Sequence, residues 1–93
     1  MTTHEFAPPV LNHPSLEGEA FTLQVQRGEE EAFGVRVNTF FGPRYLRLVR
    51  YQDRDNNERW CCYPNNRDPH DTTASHSTTA QLAFEGCMRN LSV

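Results

Sequence analysis

Two adjacent cysteines and two nearby histidines, Cys61, Cys62, His70 and His76, share the stretch RWCCYPNNRDPHDTTASH. Thiolates and imidazoles are zinc ligands, and a thiol beside an imidazole is a common pair for nucleophilic catalysis. The spacing argues against both. Tetrahedral zinc sites favour cysteines separated by about two to four residues and histidines separated by about three to five. Here the cysteines have no spacer, and the histidines fall in a polar loop. Neighbouring side chains of a strand point to opposite faces, so Cys61 and Cys62 cannot both reach one ion. The sequence instead predicts Cys62 and Cys87 as small core residues, with Cys61 on the surface. A catalytic thiol or serine would also need a base held by a third group. Asp68 and Asp71, the acids nearest the histidines, read as turn residues. Glycine-rich phosphate loops, HExxH and DxDxDG patterns are absent from the sequence. The expectation is a chain with no catalytic residues, no metal site and no cofactor.

The elements around that stretch follow from periodicity. Residues 1–19, with the proline-rich run APPVLNHPSLEGE, read as an extended N-terminal arm. FTLQVQR, FGVRV, RYLRLVRY and ERWCCY read as four strands, three of them with clear apolar–polar alternation. GEEE, FFGP and DRDNN are the turns between them. Common hairpin lengths give a register in which Phe21, Leu23 and Val25 face Val37, Val35 and Phe33. The same logic places Val37 opposite Leu46, Val35 opposite Leu48, and Leu48 opposite Cys62. Each pairing keeps one apolar face continuous, and a one-residue slip would invert it.

Residues 64–77 form a polar loop, and the last segment is helical: Ala80, Ala83, Phe84, Cys87, Met88 and Leu91 make one stripe. Thr78 and Gln81 have the spacing of a capping box, and Gly86 gives close approach to the sheet. The expected fold is α+β: a four-stranded antiparallel β-meander over 20–93, with the C-terminal α-helix packed on one face.

Composition narrows the functional classes. The chain has 93 residues and a net charge of −3, which disfavours generic binding to polyanions. It contains no run of membrane-spanning length, and its N-terminus lacks the basic start and apolar stretch of a secretory leader. An odd count of three cysteines disfavours a disulfide framework and points to the cytoplasm. All nine basic residues are arginine, and seven of them lie in residues 32–67, together with seven of the ten aromatics. Residues 1–31 hold six glutamates against one arginine.

The register gathers this basic, aromatic middle on the sheet face away from the helix. Arg36, Tyr45, Arg47, Tyr51, Arg59 and Tyr63 share that face, with Phe40 at its rim. Arginine and tyrosine are enriched at interface hot spots, and the same pair stacks on and neutralises single-stranded nucleic acid. A small domain with segregated charge suits electrostatically steered docking. In size and style it is similar to the small inhibitors made by phages, anti-CRISPR proteins among them, which would place it in the host cell cytoplasm. The expected partner is a protein or ribonucleoprotein complex, such as a host defence complex, with no membrane involved. The alternatives are a single-stranded nucleic-acid binder or an accessory subunit of a larger assembly. The oligomeric state is not legible.

Overall fold

The alternation in the middle of the chain folds into consecutive hairpins. The computed structural model describes residues 7–91. Strands β1 (Phe21–Leu23), β2 (Glu31–Thr39), β3 (Gly42–Gln52), β4 (Glu58–Pro64) and β5 (Ser75–Ser77) form one sheet in chain order, each antiparallel to its neighbour. Helix α1 (Ala80–Leu91) follows and packs against β3, β4 and β5. The class is α+β as expected, with five strands rather than four. The additional strand lies inside the segment 64–77 that reads as a loop. Its three residues, Ser-His-Ser, are too short and too polar to show alternation.

The helix-facing core is built from Phe33, Val35 and Val37 of β2, Leu46 and Leu48 of β3, and Trp60 and Cys62 of β4. Against them lie Ala80, Ala83, Phe84, Cys87 and Met88 of α1. Leu91, the last member of the expected stripe, is half-buried. The helix begins one residue later than the capping-box reading implies. Thr79 is the cap, its Oγ1 accepting from Leu82 N–H at 3.1 Å, while Gln81 bonds the N-terminal arm instead.

The β3–β4 register is as expected, with Leu48 opposite Cys62 and Arg50 opposite Trp60. The β2–β3 register is displaced by two residues, pairing Val35 with Leu46 and Val37 with Arg44. An even displacement leaves every side chain on its expected face. Its cause is the turn. Phe40 and Phe41 occupy the two turn positions, and Gly42 takes the positive φ of 107° just after them rather than inside the turn.

Strand β1 departs further. Phe21 pairs with Gly34 and Leu23 with Ala32, an odd displacement that turns Phe21 and Leu23 to the face away from the helix. Gly34 is what allows it. The edge of the Phe21 ring occupies the space a β-carbon at position 34 would need, with Cδ2 only 3.2 Å from it. The helix-side core is completed instead by Leu11, Leu16 and Ala20. The arm is therefore docked over its described part. Leu16 bridges Val37, Asn38 N–H donates to Ser15 O at 2.8 Å, and Glu17 N–H donates to Arg36 O at 2.9 Å. Asn12 and the Gln81 side chain exchange two hydrogen bonds of 2.8 and 2.9 Å. Val10 is exposed, and Phe6 lies outside the described residues.

Gly86 sits where α1 crosses β5. A β-carbon there would overlap Ser75 Oγ and lie 2.8 Å from Ser75 Cβ. Alanine is about 1 kcal/mol better than glycine in a helix interior. Overpacking of a close contact costs about 1–3 kcal/mol. Gly86→Ala is therefore expected to destabilise the protein by roughly 1 kcal/mol net in urea denaturation. Adding Ser75→Gly should return most of the loss. A stabilising Gly86→Ala would mean that β5 does not press on the helix.

Candidate interaction surface

The cysteines and histidines come together only in part. Cys61 and His76 are register partners across β4 and β5, and Cys61 Sγ lies 3.4 Å from His76 Nε2. The same nitrogen is 3.0 Å from the carbonyl of Pro69, while Nδ1 is 2.9 Å from the Tyr51 hydroxyl. A carbonyl oxygen only accepts, so Nε2 carries the proton and Nδ1 accepts from Tyr51. In that tautomer Nε2 cannot take a proton from Cys61. The ring works as a tether, joining the 64–74 loop to the sheet. His70 is exposed, and the bond at this position is made by its backbone N–H to Asp68 Oδ1. Among the described residues no group of three or more His, Cys, Asp or Glu side chains comes together as a metal cage.

Cys61 is buried rather than on the surface, because β1 and the 64–74 loop cover its face of the sheet. Burial, with smaller contributions from Cys87 and Glu29, pushes its thiol up to about 12. A hydrogen bond with Cys87 and burial push Cys62 up as well. All three cysteines are free thiols. Nucleophilic cysteines have lowered pKa values, whereas those of Cys61 and Cys62 are raised. Iodoacetamide at pH 8 is therefore expected to leave Cys61 unmodified in the folded protein over a time in which the urea-denatured chain reacts fully, as read by mass spectrometry. Stability should also fall as pH rises from about 8.5 towards 12. There the unfolded chain releases thiol protons that the native chain retains. Rapid labelling of native Cys61 would overturn this picture.

The six arginines and tyrosines expected on the second sheet face do share it, with Phe40 in the turn at its end, but the face is not open along its length. Residues Gln24–Glu29 leave β1 and fold over its centre. Arg47 is only 8% exposed: Nη2 meets Glu29 Oε1 at 2.7 Å and Gln24 O at 2.9 Å, and Nε meets Glu29 Oε2 at 3.3 Å. Tyr63 is buried beside it, in a small cluster with Ala32, Val49 and Cys61 under Leu23 and Ala74. Tyr51 and Arg59 are half-buried near the β3–β4 turn. The remaining three, Arg36, Tyr45 and Phe40, are exposed at the opposite end of the sheet.

Glutamates, most of them from the acidic N-terminal third, pair with three arginines of the basic middle. Glu29 holds Arg47; Glu30, Glu31 and Glu58 surround Arg50; and Glu17 holds Arg36 at 3.2 Å. Three of the seven arginines of the basic middle are thus paired with glutamates of the same chain.

At the exposed end the tip of the β2–β3 hairpin carries Phe40 and Phe41, 94% and 76% exposed, with ring centroids 5.1 Å apart in an edge-to-face pair. Thr39 fixes the turn that presents them. Its Oγ1 accepts from Phe41 N–H at 3.2 Å and donates to Gly42 O at 2.8 Å. Behind the tip the Tyr45 ring meets Phe21 edge-on at 6.4 Å, and the Arg36 guanidinium lies 5.8 Å from the Tyr45 centroid. Phe41, Phe21 and Arg44 belong to this surface and are absent from the sequence-based set. Two phenylalanines in a turn, where asparagine and glycine are the common choices, were the available signal. Among the described residues no helix is long and apolar enough to cross a membrane. Comparison of the chain with protein-family models, curated proteins and solved structures gives no match.

Proposed function

We propose that this chain is a small non-enzymatic module that docks on a protein or ribonucleoprotein complex through the β2–β3 end of its sheet. The observation that carries the reading is the pair Phe40 and Phe41, held almost fully exposed on a pinned turn between the two longest strands. Buried aromatic anchors dominate binding energy at protein interfaces, and rigid presentation lowers the entropy lost on binding. Tyr45, Phe21 and Arg36 extend the same patch with residue types suited to an interface. The internal pairing of Arg36, Arg47 and Arg50 with glutamates favours a protein surface over bare single strands, whose binding depends on cations free to neutralise phosphates. In its narrowest form the reading is an inhibitor of the phage anti-CRISPR kind, which blocks a host defence complex by covering a surface.

Immobilised protein exposed to bacterial lysate should retain a discrete complex. Phe40→Ala with Phe41→Ala should weaken retention by about thirtyfold or more, the loss of a hot-spot aromatic being worth about 2 kcal/mol. Arg54→Ala, in the turn at the other end of the sheet, should leave it unchanged. For the inhibitor form, the retained species is a nucleic-acid-guided nuclease whose cleavage stops at stoichiometric amounts of this protein. Equal retention by all variants would overturn the docking surface. Salt-sensitive binding to oligonucleotides with no protein retained would replace it with single-strand binding.

A further inference from the structure

Beside the aromatic tip, the surface carries two arginines that the internal glutamate pairing leaves out. Arg44, exposed on β3, has no ion-pair partner among the described residues. Arg67, exposed in the turn after β4, lines with it a hollow of about 260 Å³. Phe41 and Leu91 supply apolar wall to the hollow, and Thr72 and Thr73 supply polar wall. A second hollow of about 360 Å³ is also lined by Arg44, together with Pro43, Tyr45 and Asn66. Arg44 therefore lines both recesses, as does the exposed Phe41.

One carboxylate, Asp71, lines the first hollow. Its Oδ2 accepts from Thr73 N–H at 3.0 Å and from the Thr73 hydroxyl. These bonds, ahead of the more distant charge of Arg67, hold its pKa below the usual carboxylate value. Two cations thus line the hollow with one anion, a local positive excess on a chain of net charge −3.

We propose that this hollow receives an acidic segment of the docked protein, with a carboxylate side chain between Arg44 and Arg67 and a neighbouring apolar side chain against Phe41 and Leu91. The inference rests on the docking surface proposed above and specifies the chemistry of its partner. Arginine forks bind carboxylates in a directed, often bidentate manner, and an apolar wall beside them shields the pair from water. The surrounding negative charge of the chain would repel the same segment elsewhere, so the register of docking is set at this end.

The test uses two short acetylated peptides, one alternating glutamate and leucine, the other with glutamine in place of each glutamate. Titration is followed by amide chemical shifts of the isotope-labelled protein. The glutamate peptide should shift Arg44, Thr72, Thr73 and Leu91 in a saturable way, and the glutamine peptide should bind about tenfold more weakly or worse. Arg44→Gln with Arg67→Gln should abolish the difference between the two peptides. Equal response to both peptides, shifts confined to other regions, or no shifts at millimolar peptide would each overturn carboxylate recognition. If the peptides fail while Phe40→Ala with Phe41→Ala still releases a retained complex, the aromatic docking end stands and only its acidic partner is wrong. If the peptides bind as expected but those alanines release nothing, the hollow stands and the aromatic reading falls.

Discussion

Phe84→Ala is expected to lower folding stability by about 3–5 kcal/mol, the range for removing a phenyl ring from a packed core. Phe84 is fully buried at the centre of the α1 stripe, and the ring of His13 from the N-terminal arm meets it edge-on at 5.5 Å. Its loss opens a cavity beneath both the helix and the arm. Total stabilities of domains this size are about 5–15 kcal/mol, so the variant should lie near the edge of folding at room temperature. Urea denaturation followed by tryptophan fluorescence of Trp60 reads the change. Leu82→Ala is the control, since Leu82 is half-exposed on the same helix and should shift stability by no more than about 1 kcal/mol. Equal losses in the two variants would mean that the helix packs on a different stripe.

Arg47→Ala should cost about 3 kcal/mol, because it strands the Glu29 carboxylate in a covered site. The side chains of Arg47 and Glu29 are only 9% and 10% exposed, and the guanidinium also satisfies Gln24 O. The expected loss is one of stability rather than of partner contact, which separates Arg47 from the exposed arginines. Replacing both members of the pair by methionine should recover most of it, since apolar residues of similar volume remove the desolvation cost along with the attraction. Arg54→Ala, in an exposed turn, should change stability by less than about 0.5 kcal/mol. An unchanged urea midpoint for Arg47→Ala would show that the Gln24–Glu29 segment does not close the sheet face.

Much of the central meander was legible because alternation records the two faces of a strand. β3 and β4 pair as their sequences require, and β2 keeps its faces despite a turn placed differently around Gly42. β1 was misread because FTLQVQR alternates equally well in either register. What decides between them is not in that segment. Gly34 leaves room for the Phe21 ring on one face only, and Glu29 has a buried arginine to reach. β5 carried no signal, since three polar residues have no apolar face to reveal. The site shows the same division. The sequence placed arginines and tyrosines correctly on one face, but alternation cannot report what lies on top of that face. The acidic segment that neutralises Arg47, Arg50 and Arg36 read as a separate charge block. Its role appears only once the chain folds back on itself.

Because sheet order equals chain order, the borders of the sheet are β1 and β5, each only three residues long. Beyond β1, the outer side of β2 is taken up by the arm at Ser15–Glu17. Beyond β5, β4 runs on into Glu58 and Arg59 at one end and Pro64 at the other. Short, charged or proline-blocked borders give a strand from another molecule little to extend. The chain can therefore display two bare phenylalanines at its tip without offering a template for self-assembly into fibres. Its solubility at high concentration should depend on those borders more than on the aromatic tip.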